Sequence, residues 1–123
     1  MTGPRRHVRF SRRMFQTEAD FPVPEFGDGA QFRLVVERAV NLSDWYTEHQ
    51  DALLNERDGR KLRVEFFERH VLGWSGFVSE EGEPIEFTDE NRRILAEDPD
   101  AWMAVFQALL AGTKTITEAE AGN

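Results

Sequence analysis

The sequence predicts an α+β fold: a small N-terminal antiparallel sheet or hairpin packed against about four α-helices in a single domain. Three observations carry that expectation. Residues 1–40 mix prolines, a Gly-Asp-Gly turn signal and alternating apolar residues, the marks of extended backbone. The rest of the chain places cap residues ahead of stretches with helical spacing. Finally, 123 residues, 40% of them apolar and including ten Phe and three Trp, are enough for one modest core.

The elements follow in order. In "HVRFSRRMF", Val8, Phe10 and Met14 suggest a strand with charge on its other face. Pro22 and Pro24 favour extended backbone and remove ladder donors, which suits an edge or irregular strand. Gly27-Asp28-Gly29 reads as a turn. After it, Phe32, Leu34 and Val36 alternate on one face. Residues 30–40 also fit a helix through Phe32, Val35, Val36, Ala39 and Val40; the preceding turn and the β-branched content select the strand.

Ser43 is read as the N-cap of a helix over about 44–55, with Asp44 and Glu48 near its positive end and Trp45, His49, Ala52 and Leu53 on one side. Asp58-Gly59 is expected to break it. A second helix is expected over 61–73, its stripe made of Val64, Phe66, Phe67, Val71 and Trp74, and ended by Gly73 and Gly76. "GFVSEEGEPIEF" reads as a short hairpin of Phe77-Val78 against Ile85 and Phe87. Thr88 then caps a helix to about residue 97, with Ile94 and Leu95 facing inward. Asp98-Pro99 opens the last helix, and Gly112 is its expected C-terminal stop. The domain is thus placed at 1–112, with 1–13 as a basic arm or edge strand and 113–123 as a flexible tail.

Composition narrows the chemistry. The sequence has no cysteine, which removes disulfides, thiolate metal sites and a Cys nucleophile. It has neither an uncharged run near ~20 residues nor an apolar signal core, so a soluble protein that stays where it is made is expected. The net charge of −8 is unevenly spread. Arg5, Arg6, Arg9, Arg12 and Arg13 sit at the start without an acid among them. The other ten basic and all twenty-three acidic residues follow, a balance of −13. A basic arm on an acidic body can touch nucleic acid, yet the body repels phosphate; the arm equally suits its own acidic domain or a solvated strand edge.

Candidate catalytic groups each have a plainer explanation. His7, His49 and His70 include no pair at metal-binding spacing. His70 falls in an apolar stripe, where a satisfied histidine at the core's edge is the expected state. Glu80, Glu81, Glu83 and Glu86 alternate with Gly82 and Pro84, as in a solvated acidic turn. No nucleophile-elbow, phosphate-loop or dinucleotide motif is present. No catalytic, cofactor-binding or metal-ligating residue is therefore assigned.

One segment stands apart. "AWMAVFQALLAGT", from Ala101 to Thr113, carries no charge. Trp102, Val105, Phe106, Leu109 and Leu110 should pack on the domain's own core. Ala104, Gln107, Ala108 and Ala111 form the opposite, small and uncharged side, where a solvated helix shows Lys or Glu. That side suits the close approach of another helix or another protein, or else belongs to a central helix in a small domain.

The order "RFSRRMF", "FPVPEFGDGAQFRL", "NLSDWYTEH", "HVLGWSGFVSEEGEPIEFTDENRRIL", "DPDAWMAVFQALLAG" resembles small tail proteins of tailed bacteriophages and prophages, of the tail assembly chaperone or minor tail protein type. The resemblance runs from about Phe10 to Gly112. Its most characteristic part is Trp74, Gly76, Glu81-Gly82-Glu83-Pro84, Ile85-Glu86-Phe87 and Thr88 to Asn91. It implies an α+β domain without cofactor that binds tape-measure or tail-tube subunits in the bacterial host cytoplasm, with a place in the virion tail also open. Partner contacts would then fall on Ala104, Gln107, Ala108, Ala111 and the five arginines. Nucleic acid and membrane are not expected partners; an accessory nucleic-acid-binding protein using the arm is the alternative.

Overall fold

A computed structural model of the protein describes residues 16–37 and 41–121. The strand expected over 8–14 and the arm over 1–13 lie outside them. Strands β1 (Gln16–Pro22), β2 (Gln31–Glu37) and β3 (Val71–Ser75) form an antiparallel sheet in that order. Helices α1 (Leu42–Leu54) and α2 (Glu56–His70) lie between β2 and β3 in the sequence, and α3 (Asp89–Glu97) and α4 (Pro99–Ala121) follow. The architecture is α+β in one compact domain, as the sequence predicts.

The sheet begins with a hairpin that uses the expected turn and second strand, but its first strand is Gln16–Pro22, and Pro24, expected in extended backbone, lies in a 3₁₀ turn. Phe21 pairs with Phe32, Ala19 with Leu34 and Thr17 with Val36. This register puts Phe32, Leu34 and Val36 on the buried face and resolves residues 31–37 as strand. Among the described residues β1 lies at one edge of the sheet, and it ends at Pro22. A 3₁₀ turn at Pro24–Phe26 and the Gly27-Asp28-Gly29 turn close the hairpin. Gly27 takes φ 144°, and a Cβ there would lie 2.6 Å from the Gly76 carbonyl oxygen. Only glycine lets the hairpin tip sit so closely on the segment that follows β3.

Val71 and Trp74, expected on a helix, lie in β3 instead. Arg33 pairs with Gly73 but Leu34 with Val71, so Leu72 is an extra residue in the ladder. A bulge of this kind lets Val71 and Trp74 face the same side although they are three residues apart. The result imitates helical spacing after Phe67, which is why periodicity carried the helix too far. α2 in fact ends at His70. The ladder also places Gly73 inside the strand and not at a helix end.

The helix starts need similar adjustment. Asn41, not Ser43, caps α1, its Oδ1 accepting from the Asp44 N–H at 3.1 Å. Starting there places the buried Leu42 in the first turn. The break before α2 falls at Asn55, not at Asp58-Gly59. Asn55 closes α1 through its N–H and opens α2 through Oδ1, which accepts from Arg57 and Asp58. Gly59 is instead a packing residue in the first turn of α2, because a Cβ there would lie 2.5 Å from the Leu53 carbonyl oxygen. Thr88 caps α3 as expected, with Oγ1 accepting from Asn91 at 3.0 Å. In that helix Ala96 is the buried residue. Leu95 is half-buried and Ile94, expected inward, is 58% exposed.

Asp98 opens α4 as expected, with Oδ1 accepting from the Asp100 N–H. The expected stop at Gly112 does not occur, since the helix continues to Ala121. Gly112 lacks a Cβ for a different reason: an added Cβ would overlap the Phe21 ring at its Cε1 edge. The glycine lets α4 press on β1. Trp102, Val105, Phe106 and Leu109 meet Phe21, Phe32 and Leu34 in one core, with Phe66 and Phe67 from α2.

Arg63 is buried among these elements at 6% exposure. Its Nε donates to the Ala96 carbonyl at 3.1 Å, Nη2 to Glu97 at 3.1 Å and Nη1 to Leu53 at 3.5 Å. These carbonyls close α3 and α1, where unpaired C=O groups and the negative helix end favour a cation.

Two stability measurements check this packing. Gly112→Ala, which in a free helix would gain about 1 kcal/mol, should instead lose about 1–3 kcal/mol in urea unfolding, and Phe21→Leu in the same protein should recover part of the loss. Arg63→Met keeps the side-chain stem but leaves buried carbonyls without a donor. It should lose about 2–4 kcal/mol by the same measurement.

Candidate partner-binding surface

The uncharged segment of α4 lies on the core as its spacing demands. Trp102, Val105, Phe106 and Leu109 are buried and Leu110 is half-buried. Trp102 stacks on Phe106 with centroids 5.0 Å apart and meets Phe66 edge-on at 5.3 Å. Trp45 of α1 joins the same aromatic group at 5.1 Å from Phe66. Such contacts fix which side of α4 faces in. The Trp102 Nε1–H is buried with no hydrogen-bond acceptor.

The other side divides. Gln107 and Ala111 are exposed, whereas Ala104 and Ala108 are half-buried and pack against the core. The stripe of four is therefore only half an outer surface. Met103 and Leu110, both half-buried, border it. Sequence reasoning left Met103 out and placed Leu110 on the core, where it does pack while half-buried; with Gln107 the two lie at i, i+4 and i+7 and so follow one helix face. The outer strip is thus Gln107 and Ala111, flanked by the half-buried Met103, Ala104, Ala108 and Leu110 that also pack on the core, and it is uncharged throughout. Arg5, Arg6, Arg9, Arg12 and Arg13 lie outside the described residues, so the structure does not bring them to this surface.

His70 occupies the place expected of a satisfied histidine. It is 5% exposed, and its Nδ1 lies 2.9 Å from the Val35 carbonyl oxygen, so that nitrogen carries the proton. Its ring lies 4.4 Å from Phe66. Burial lowers its pKa below 6.5; the Val35 hydrogen bond and Glu37 act against this and Arg69 adds to it. Arg69 is held by a bidentate pair to Glu37, both contacts at 2.7 Å.

The acidic residues of the 79–86 turn are exposed. Gly82 supplies φ +82°, the Glu83 N–H donates to Ser79 Oγ, and Val78 bridges Pro84 as a minimal hairpin. Trp74 Nε1 donates to the Ile85 carbonyl at 2.8 Å, which fastens the turn to β3. Among the described residues, no group of three or more His, Asp or Glu is arranged to hold a metal ion. A shallow groove between α2 and α3 is lined by Val64, Glu68, Asp89, Glu90, Arg92 and Arg93. Within it Arg92 already donates to the Val71 carbonyl and to Asp89. No described helix is long and apolar enough to cross a membrane.

The burial of His70 sets a pH dependence. The unfolded protein takes up the proton near pH 6.5, and the folded protein does so only at lower pH. The neutral, buried ring therefore keeps its full contribution above about pH 6.5 and loses it as pH falls toward the lowered folded value, at up to about 1.4 kcal/mol per pH unit. In urea unfolding, His70→Gln should remove that part of the slope while leaving the carboxylate-driven loss at lower pH. An unchanged slope in the variant would locate the titrating group elsewhere.

No protein-family model, curated protein or solved structure matches this sequence.

Proposed function

We propose that this is a non-enzymatic tail-assembly protein of a bacteriophage or prophage, which acts in the host cytoplasm. It binds a tape-measure or tail-tube subunit through the outer strip of α4. The observation that carries the reading is that strip. In a protein with fifteen basic and twenty-three acidic residues, Gln107 and Ala111 form an uncharged, exposed helix face rimmed by the half-buried Met103, Ala104, Ala108 and Leu110. Small residues let a second helix approach closely, and the rim supplies apolar area once it is covered. The resemblance of the sequence to small tail proteins, read from its own residues, points the same way. The acidic body favours basic or amphipathic partners and keeps their complex in solution.

Co-expression with tape-measure and tail-tube subunits tests this. The tagged protein should recover one of them, and Gln107→Glu combined with Ala111→Glu should lower recovery by about tenfold or more with an unchanged unfolding midpoint. Recovery of neither subunit overturns the proposal. A salt-dependent DNA shift that disappears when Arg5, Arg6, Arg9, Arg12 and Arg13 are replaced would move the assignment to the nucleic-acid alternative.

A further inference from the structure

Two Asp-Gly pairs occur in the sequence, Asp28-Gly29 and Asp58-Gly59, and the fold treats them differently. In such a pair the backbone nitrogen of the glycine can attack the aspartate carboxyl, because glycine has no Cβ to hinder the approach. We propose that Asp28 is a site of spontaneous isoaspartate formation and that the fold protects Asp58 from the same reaction. The Gly29 nitrogen forms a bond to Asp28 Cγ. The Cγ–O bond breaks, and one carboxyl oxygen leaves as water with the amide and carboxyl protons. Hydrolysis of the cyclic imide then adds one water. Cleavage of the Cγ–N bond restores aspartate, whereas cleavage of the original peptide bond leaves the backbone running through Cγ. No electron changes hands and the mass is unchanged.

The contrast lies in what must open before the attack. At the first pair the Ala30 N–H donates to the Gly27 carbonyl at 3.0 Å. Gly29 has φ +76° and Asp28 does not have positive φ. This is a type II turn, in which the ψ of Asp28 is near +120° and holds the Gly29 nitrogen away from the carboxyl group. The middle peptide must therefore rotate. Both residues are exposed, nothing lies within 4 Å of the Cβ position at Gly29, and the turn itself has one backbone hydrogen bond to lose. At the second pair the Gly59 N–H donates to the Asn55 carbonyl at 2.7 Å and the Asp58 N–H to Asn55 Oδ1 at 3.1 Å. Gly59 is buried against Leu53 and Arg63. Freeing its nitrogen means unwinding the first turn of α2, a larger local opening.

The modification would also act on the fold. Gly27 sits against the Gly76 carbonyl, and the Phe26 carbonyl accepts from the Val78 N–H at 3.1 Å. An added backbone atom at residue 28 therefore falls beside the contact that seats the hairpin on the 76–78 segment.

Prolonged incubation of the full-length protein in ¹⁸O-water at mildly acidic pH, followed by peptide mapping, tests the proposal. The peptide containing residue 28 should gain an isomer of equal composition that carries the heavy oxygen. In the native protein the peptide containing residue 58 should form its isomer about tenfold more slowly or less. In urea the two rates should converge, and Asp28→Glu should remove the first isomer alone. Equal rates at the two sites in the native protein overturn the proposal. So does a native protein that forms no isomer at residue 28 when the urea-unfolded protein forms it.

Discussion

The buried guanidinium of Arg63 is the constraint on which the arrangement of the helices depends. One planar group meets the closing carbonyls of α1 at Leu53 and of α3 at Ala96 and Glu97. A charge so deeply placed is tolerable only where its donors are met, and two helix ends supply both acceptors and a negative potential. The space for it exists because position 59, one helical turn earlier, is glycine. A Cβ at Gly59 would lie 3.0 Å from Arg63 Nη1 and still closer to Leu53. Glu97 adjoins Asp98, the residue that opens α4, so Arg63 holds the end of α3 directly beside the start of α4.

From that start α4 meets the sheet at a second tight contact, Gly112 against Phe21. These two points and the aromatic packing of Trp102 and Phe106 leave the helix little freedom to rotate about its axis. The sidedness of α4 is thus a property of the whole domain and not of its own sequence alone. Trp102, Val105, Phe106 and Leu109 are inside, and Gln107 and Ala111 are outside, because Arg63, Gly59, Phe21 and Gly112 place the helix so.

Much of this was legible in the sequence. The β2 strand and the turn before it, the caps at Thr88 and Asp98, the core side of α4 and the quiet setting of His70 all follow from local rules. What was not legible has physical causes. The bulge at Leu72 turned a strand into a three-residue spacing that continues a helical stripe. Gly59 and Gly112 read as breaks, since a glycine in the sequence does not show whether it relaxes the backbone or makes room for a neighbour. Asn41 and Ser43 are both good caps, and the burial of Leu42 decides between them. On α4, the absence of charge marked the helix that carries an uncharged outer face. The division of Ala104 and Ala108 from Gln107 and Ala111 depends on how deeply α4 sits in the core, which no spacing rule contains.

The edge of the sheet sharpens the contrast with α4. β1 carries Glu18 and Asp20 on its outward face, both 57% exposed, with Arg33 of β2 at 3.6 and 3.5 Å, and it ends in Pro22. Were two copies to pair through β1 in antiparallel register, acid would meet acid and proline would remove a donor, so among the described residues this strand carries features that oppose self-association. Charge is used there to keep copies apart. Along α4 the same protein, dense in charge elsewhere, places alanine, glutamine and methionine. Alanine limits the apolar area left in water, while the missing bulk lets another backbone come near. A helix meant only to be solvated would gain from Lys and Glu at positions 107 and 111, through solubility and ion pairs one turn apart. Their absence is most simply understood if this face spends its working life covered, and that is the physical content of the assembly role proposed for the protein.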